Sequence, residues 1–181
     1  MYGQMTAGSW MYIGPQGIIH GTAITVAQAA KIQDPSNPTL QGKVFVTSGL
    51  GGMSGAQAKA TTIGGGICLV AEINSKPLNK RNEQGYLDEK YADLDQVIAR
   101  VKTAKANKEA ISIGYNGNAV DLWEKLAESD LVVEIGSDQS SLHNPFFGGY
   151  YPAGLTCEES NVMMVEDPPK FKFLVEDSLR R

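Results

Sequence analysis

The feature that most constrains this chain is an alternation, from residue 43 onward, of short apolar runs with helical segments. Residues 43–47 (KVFVT) are β-branched and aromatic and end at glycines, which predicts a buried strand. Residues 67–73 (ICLVAEI), 111–115 (ISIGY) and 131–135 (LVVEI) predict three more. Helices are predicted between them. One covers 55–63 and is closed by Gly64-Gly65-Gly66, and another covers 120–127. The helix over 94–106 carries Leu94, Val97, Ile98 and Val101 on one face, with Asp93 or Asp95 favouring its N-terminal end. Strands that are apolar throughout suit a sheet covered on both faces, and each strand–helix–strand passage suits right-handed crossovers between parallel strands. The expected fold class is therefore α/β, a Rossmann-like doubly wound parallel sheet in three α/β/α layers. A helix over 22–33, capped by Thr22 and stopped by Asp34-Pro35-Ser36-Asn37-Pro38, precedes the alternation, and an amphipathic helix over 171–181 follows it.

Composition narrows the function classes. A length of 181 residues suits one domain, and 42% hydrophobic with 20% charged residues is ordinary for a soluble globular chain. A net charge of −4 argues against nucleic acid or an anionic membrane as partner, since phosphate binding needs concentrated Lys and Arg. No apolar run reaches the roughly 18 residues of a membrane helix. The opening MYGQMTAGSW has no charged region followed by an apolar core, so it does not read as a secretory signal, and a cytoplasmic location is expected. Cys68 lies inside an apolar run and Cys157 far from it, which suggests no disulfide framework, and no metal site is expected. Tyr2, Trp10, Met11 and Tyr12 place aromatic and apolar surface at the start of the chain. Either that start packs on its own core or it marks a boundary where flanking chain is missing.

The strongest chemical signal follows the first strand: Ser48-Gly49-Leu50-Gly51-Gly52-Met53-Ser54-Gly55. A dinucleotide-binding turn needs one glycine for the bend, a second to admit the pyrophosphate, and a third small residue to pack the new helix on the sheet. Gly49 and Gly51 take the first two places; Ser54 stands at the usual third, with Gly55 next. The pyrophosphate would sit on the helix N-terminus. Such a turn alone also serves plain strand–helix connections. Glu72 adds context, because it follows Ile67-Cys68-Leu69-Val70-Ala71 at the strand end, where a carboxylate accepts both ribose hydroxyls and repels a 2′-phosphate. The plainer reading of Glu72 is a solvated strand end. Ligands in open α/β sheets lie beyond the carboxyl ends of the strands, which brings in Asn116-Gly117-Asn118-Ala119 and the loop from Ser137 to Pro145. Asn118 is either a ligand or a helix cap, and His143 either a site residue or a loop histidine.

These residues resemble one family. YGQMTAGSWMYIGPQGIIHGT (2–22), TSGLGGMSGAQ (47–57), SIGYNGNAV (112–120), DQSSLHNP (138–145) and GYYPAG (149–154) are similar to urocanate hydratase, in order and with similar spacing. The resemblance runs from the first residue to about Gly154 and is loose beyond it. It implies that residues 1–181 form one NAD-binding domain of a longer chain, whose enzyme hydrates urocanate to imidazolone propionate in histidine degradation. There NAD⁺ serves as an electrophile toward the imidazole ring and leaves unreduced. It places cofactor contacts on Gln4, on Gly52, Met53 and Ser54, on Glu72, on Asn118 and Ala119, on Gln139, Ser140, Ser141, Leu142 and His143, and on Tyr150 and Tyr151. It also implies a homodimer for the full-length enzyme.

The chain departs from the family pattern at three places. Ser54 stands for a glycine, Pro77 stands where an arginine helps hold the nucleotide, and DQSSLHNP replaces DQTSAHDP. Lys76 or Arg81 is the nearest substitute for the missing arginine. The family's catalytic cysteine matches neither Cys68 nor Cys157, so no catalytic residue is assigned and the isolated domain is expected to be inactive. Two other classes fit the Gly-rich turn and acidic strand end: an S-adenosylmethionine-dependent transferase and a non-enzymatic module that senses a dinucleotide.

Overall fold

The structure, a computed structural model, describes residues 14–138 and 144–181. Helix α1 (Gln16–Gln33) leads into β1 (Val44–Ser48), α2 (Ala56–Ile63), β2 (Ile67–Ala71), α3 (Ser75–Glu83) and β3 (Glu89–Tyr91). There follow α4 (Leu94–Asn107), β4 (Ile111–Tyr115), α5 (Ala119–Glu128), β5 (Ile135–Gly136), α6 (Cys157–Glu166) and α7 (Pro168–Arg180). The strands form one sheet in the order β3-β4-β2-β1-β5, and every pair is parallel.

Strand periodicity divides the core into two layers. Val44 and Val46 of β1 and Ile67, Leu69 and Ala71 of β2 face one side, where they pack with Val97, Val101 and Ala104 of α4 and Leu122 and Leu126 of α5. Phe45, Cys68 and Val70 point the other way, into a cluster with Val26 and Ala30 of α1, Ala58 of α2 and Leu78 of α3. Helices thus cover both faces, which is the doubly wound arrangement expected from the apolar runs. The register sets Ser48 opposite Ala71 and Ala71 opposite Tyr115, so β1, β2 and β4 end level with one another. Their loops leave from one edge.

Several elements differ from the sequence expectation. Helix α1 starts six residues before Thr22, at Gln16 behind Pro15, so Thr22 lies within the helix and does not cap it. At its other end the buried Lys43 ammonium donates to the carbonyls of Ala30 (3.3 Å) and Asn37 (2.6 Å), placing a cation at the helix C-terminus. Helix α3 and strand β3 were not expected. The polar SKPLNKRNE buries only Leu78, and the charged Glu89-Lys90-Tyr91 pairs only with β4 at the sheet edge. Of the fourth predicted strand, 131–135, only the last residue is in register with β1, where Ile135 and Gly136 pair with Phe45 and Val46. Just before them the Glu134 carboxylate accepts the Val44 N–H at 2.7 Å, so a side chain takes a donor that a strand carbonyl would otherwise accept. Helix α6 also went unread. It opens with a capping box in which Thr156 and Glu159 each bond the other's backbone N–H.

Leu69 is fully buried at the centre of the first core layer. Leu69→Ala is expected to cost about 2–5 kcal/mol through lost contacts and the cavity left behind, measurable by urea denaturation.

Candidate functional site

The glycine turn is fixed from three sides. Gly49 has φ +86°, a left-handed conformation that favours glycine, and its N–H extends the ladder to the Ala71 carbonyl at 2.8 Å. The Ser54 hydroxyl accepts the Gly51 N–H at 3.0 Å. A Cβ on Gly49 would stand 3.0 Å from that hydroxyl, so the serine at the third position fits a glycine at the first. From the other side Arg81 on α3 donates to the carbonyls of Leu50 (3.2 Å) and Gly51 (2.8 Å). In a trans peptide the N–H lies antiparallel to the preceding carbonyl. Holding the Gly51 carbonyl toward Arg81 therefore turns the Gly52 N–H away from it. Among the described residues, no acceptor meets the N–H groups of Gly52, Met53 or Ser54. They lie in the turn that leads into α2, just ahead of its N-cap Gly55, on the side where the helix dipole favours an anion.

Of the two nearest substitutes for the arginine that Pro77 replaces, Arg81 packs against the glycine turn itself. Its third donor goes to Gln84 at 2.6 Å, and its guanidinium lies over the Tyr86 ring. The guanidinium braces the turn from behind. Pro77 occupies the first turn of α3, where a missing N–H is tolerated.

Glu72 follows directly on β2 and is held by two backbone donors. One oxygen accepts the Leu50 N–H at 2.7 Å and the other the Asn74 N–H at 2.9 Å. The carboxylate thus ties the glycine turn to the start of α3. Each oxygen keeps a lone pair for a hydroxyl donor. Burial pushes its pKa up, while the two backbone bonds pull it down. Asn118 turns out to be both cap and clamp. Its carbonyl oxygen accepts the Val120 N–H and its amide donates to the Tyr151 carbonyl, each at 2.9 Å.

These groups border a cleft of about 690 Å³ at the carboxyl edge of the sheet. Of the predicted residues, Glu72, Asn118, Ala119, Tyr150 and Tyr151 line it together. Gly52, Met53 and Ser54 do not. Gly52 borders a separate hollow with Arg81 and Tyr86, and Met53 projects into solvent. Gln4 and Gln139, Ser140, Ser141, Leu142 and His143 lie outside the described residues. The sequence reading placed Ser48 in the glycine turn and Asp138 in the loop after the fourth strand but gave neither a contact of its own. The Ser48 hydroxyl donates to one Asp138 oxygen (2.9 Å) and the Tyr150 phenol to the other (2.8 Å), at the point where β1 and β5 diverge. Their signal was their place at strand ends. Trp123 of α5 and Val175, Leu179 and Arg181 from the C-terminal end form the far wall, which no motif announced. Burial pushes the Cys68 thiol up to about 12 and also raises Cys157, so neither is a ready thiolate near neutral pH.

The level strand ends, the glycine turn and the acidic residue after β2 define a Rossmann-like domain. The chain belongs to the urocanase Rossmann-like domain family, whose model matches residues 14–181. Over 99% of its length it is 60% identical to a probable urocanate hydratase of Caenorhabditis elegans. Over its whole length it is 54% identical to the urocanate hydratase of Mus musculus and 42% identical to a probable urocanate hydratase of Halobacterium salinarum. The chain spans 27% of the worm and mouse proteins and 31% of the archaeal one.

Two outcomes follow from this geometry. A Cβ on Gly55 would lie 2.8 Å from the Gly51 carbonyl and 2.5 Å from the Arg81 Nε, so Gly55→Ala is expected to cost about 1–3 kcal/mol by urea denaturation. Arg81→Ala in the same chain relieves only the second clash, so Gly55→Ala remains destabilising in that background. Because the folded-state pKa of Glu72 is raised, the folded chain holds its proton longer than the unfolded one. That contribution to stability is present below the ordinary 4.5 and is lost as pH rises through the raised value. Glu72→Gln is expected to flatten the fall in stability above pH 4.5, read from denaturation midpoints across pH.

Proposed function

We propose that residues 1–181 are one domain of a longer urocanate hydratase and that this domain holds NAD⁺. The observation that carries the cofactor reading is the run of unmet amides at Gly52, Met53 and Ser54 just ahead of α2. An anionic pyrophosphate satisfies those donors and the helix dipole together. Glu72 supports the same reading, since its remaining lone pairs suit the two ribose hydroxyls and its charge disfavours a 2′-phosphate. The family relationship supports urocanate as substrate and imidazolone propionate as product.

Bound NAD⁺ would supply an electron-poor pyridinium for use as an electrophile. The chain's own residues bind and orient. Arg81 keeps the Leu50 and Gly51 carbonyls turned away from the pyrophosphate. Glu72 sets the turn against the ribose position. Asn118 fixes the Tyr151 backbone, and Asp138 fixes the Tyr150 phenol in the same cleft. The predicted contacts at Gln4, at Ala119 and from Gln139 to His143 complete the proposed site. Among the described residues neither cysteine is a ready thiolate, and the further groups that the hydration needs are proposed to come from the rest of the protein. The full-length enzyme is proposed to be a cytoplasmic homodimer.

Calorimetric titration of the chain with NAD⁺, NADP⁺ and S-adenosylmethionine tests this reading. NAD⁺ alone is expected to bind, and Glu72→Ala is expected to weaken it at least about tenfold, a loss of 1.4 kcal/mol or more. A preference for S-adenosylmethionine would overturn the proposal. The chain alone is expected to show no loss of urocanate absorbance with or without NAD⁺, whereas the full-length enzyme turns urocanate over.

A further inference from the structure

Gln57 sits in the first turn of α2, 4% exposed, and no part of the proposed site calls on it directly. Its side-chain oxygen accepts from the Thr47 hydroxyl on β1 at 2.9 Å and from the Ser137 hydroxyl just after β5 at 3.0 Å. Its amide nitrogen faces the Ser54 carbonyl of the glycine turn at 3.4 Å. The carbonyl fixes which way the amide points, because a flipped group would set oxygen against oxygen. The Thr47 and Ser137 hydroxyls also lie 2.9 Å from each other. Two protons therefore serve three oxygen–oxygen contacts, and Gln57 is the vertex that can only accept. One residue beyond, Asp138 holds the Ser48 hydroxyl and the Tyr150 phenol at the cleft.

We infer that Gln57 is a positioning residue that sets the glycine turn in register with the segment after β5. The amide joins three pieces of chain that meet only at the point where the sheet changes winding direction. Through Ser137 it places Asp138, and through Asp138 it places Tyr150. In the proposed NAD⁺ site, on which this inference rests for its ligand, the turn carries the pyrophosphate and Tyr150 lies toward the nicotinamide end. ADP touches the first region alone, whereas NAD⁺ spans both. Loss of register therefore penalises NAD⁺ and spares ADP.

The test uses Gln57→Leu, which keeps the side chain's bulk and leaves Thr47 and Ser137 to bond each other. Ser137→Ala cuts the same link from the other end, at a partly exposed position that folding tolerates. Ala58→Gly loosens α2 without touching the network and serves as the control. NAD⁺ and ADP affinities are measured by calorimetry, and amide exchange of the ligand-free chain is followed by mass spectrometry. Gln57→Leu and Ser137→Ala are expected to weaken NAD⁺ about tenfold with ADP within twofold, and to speed exchange at 137–138 and around Tyr150 while β2 and β4 stay protected. Equal losses for both ligands, or the Ala58→Gly pattern, would reduce Gln57 to ordinary helix packing. If the unmodified chain binds neither ligand, the NAD⁺ reading fails. The exchange data then still decide the coupling: unchanged exchange near Tyr150 in both variants overturns it.

Discussion

Every loop that shapes the cleft leaves the sheet at one edge because all five strands run parallel. That direction is enforced by burial. A strand apolar on both faces must be covered on both, and a helix returning over one face brings the chain back to the same starting edge. The two core layers, one under α4 and α5 and the other under α1, α2 and α3, are the physical expression of this rule. The winding direction reverses between β1 and β5. Their diverging loops leave the opening into which Ser48, Asp138 and Tyr150 project.

At that edge, charged side chains organise backbone. Glu72 collects amides from Leu50 and Asn74, while Arg81 collects carbonyls from Leu50 and Gly51. Leu50 is thus gripped by opposite charges at its two backbone poles and has no exposed surface. The result is a turn whose donors and acceptors have been sorted to different sides before any ligand arrives. Preorganisation of this kind avoids an ordering cost at the moment of binding.

Long apolar runs made the sheet and its flanking helices legible in the sequence, and the glycine spacing with Glu72 marked the turn. The parts that escaped share a physical character. Helix α3 carries its purpose in two side chains, Leu78 and Arg81, on an otherwise polar segment, so no periodicity betrays it. Strand β3 is three residues at an edge, stabilised by pairing with β4 and by the Glu89–Arg100 ion pair across to α4. Asp138 and Gln57 owe their roles to partners far away in the chain, and local pattern holds no record of such meetings. Asn118 showed the reverse: local pattern announced the cap, which its side-chain oxygen forms with the Val120 N–H, while the clamp that its amide makes on the distant Tyr151 carbonyl left no local trace.

The far wall of the cleft is built by chain that never enters the sheet. Phe171 and Val175 anchor α7 with almost no exposed surface, the Ser178 hydroxyl accepts the Ala153 N–H at 2.9 Å, and Arg181 grips Glu124 through both carboxylate oxygens. Docking of this helix and filling of the cleft are therefore linked equilibria. Whatever free energy a ligand gains from the wall, it returns as tighter docking of α7, in equal measure and by thermodynamic necessity. The C-terminal helix is in this sense a second ligand of the sheet, covalently attached, and occupancy of the cleft can be read from how firmly that helix is held.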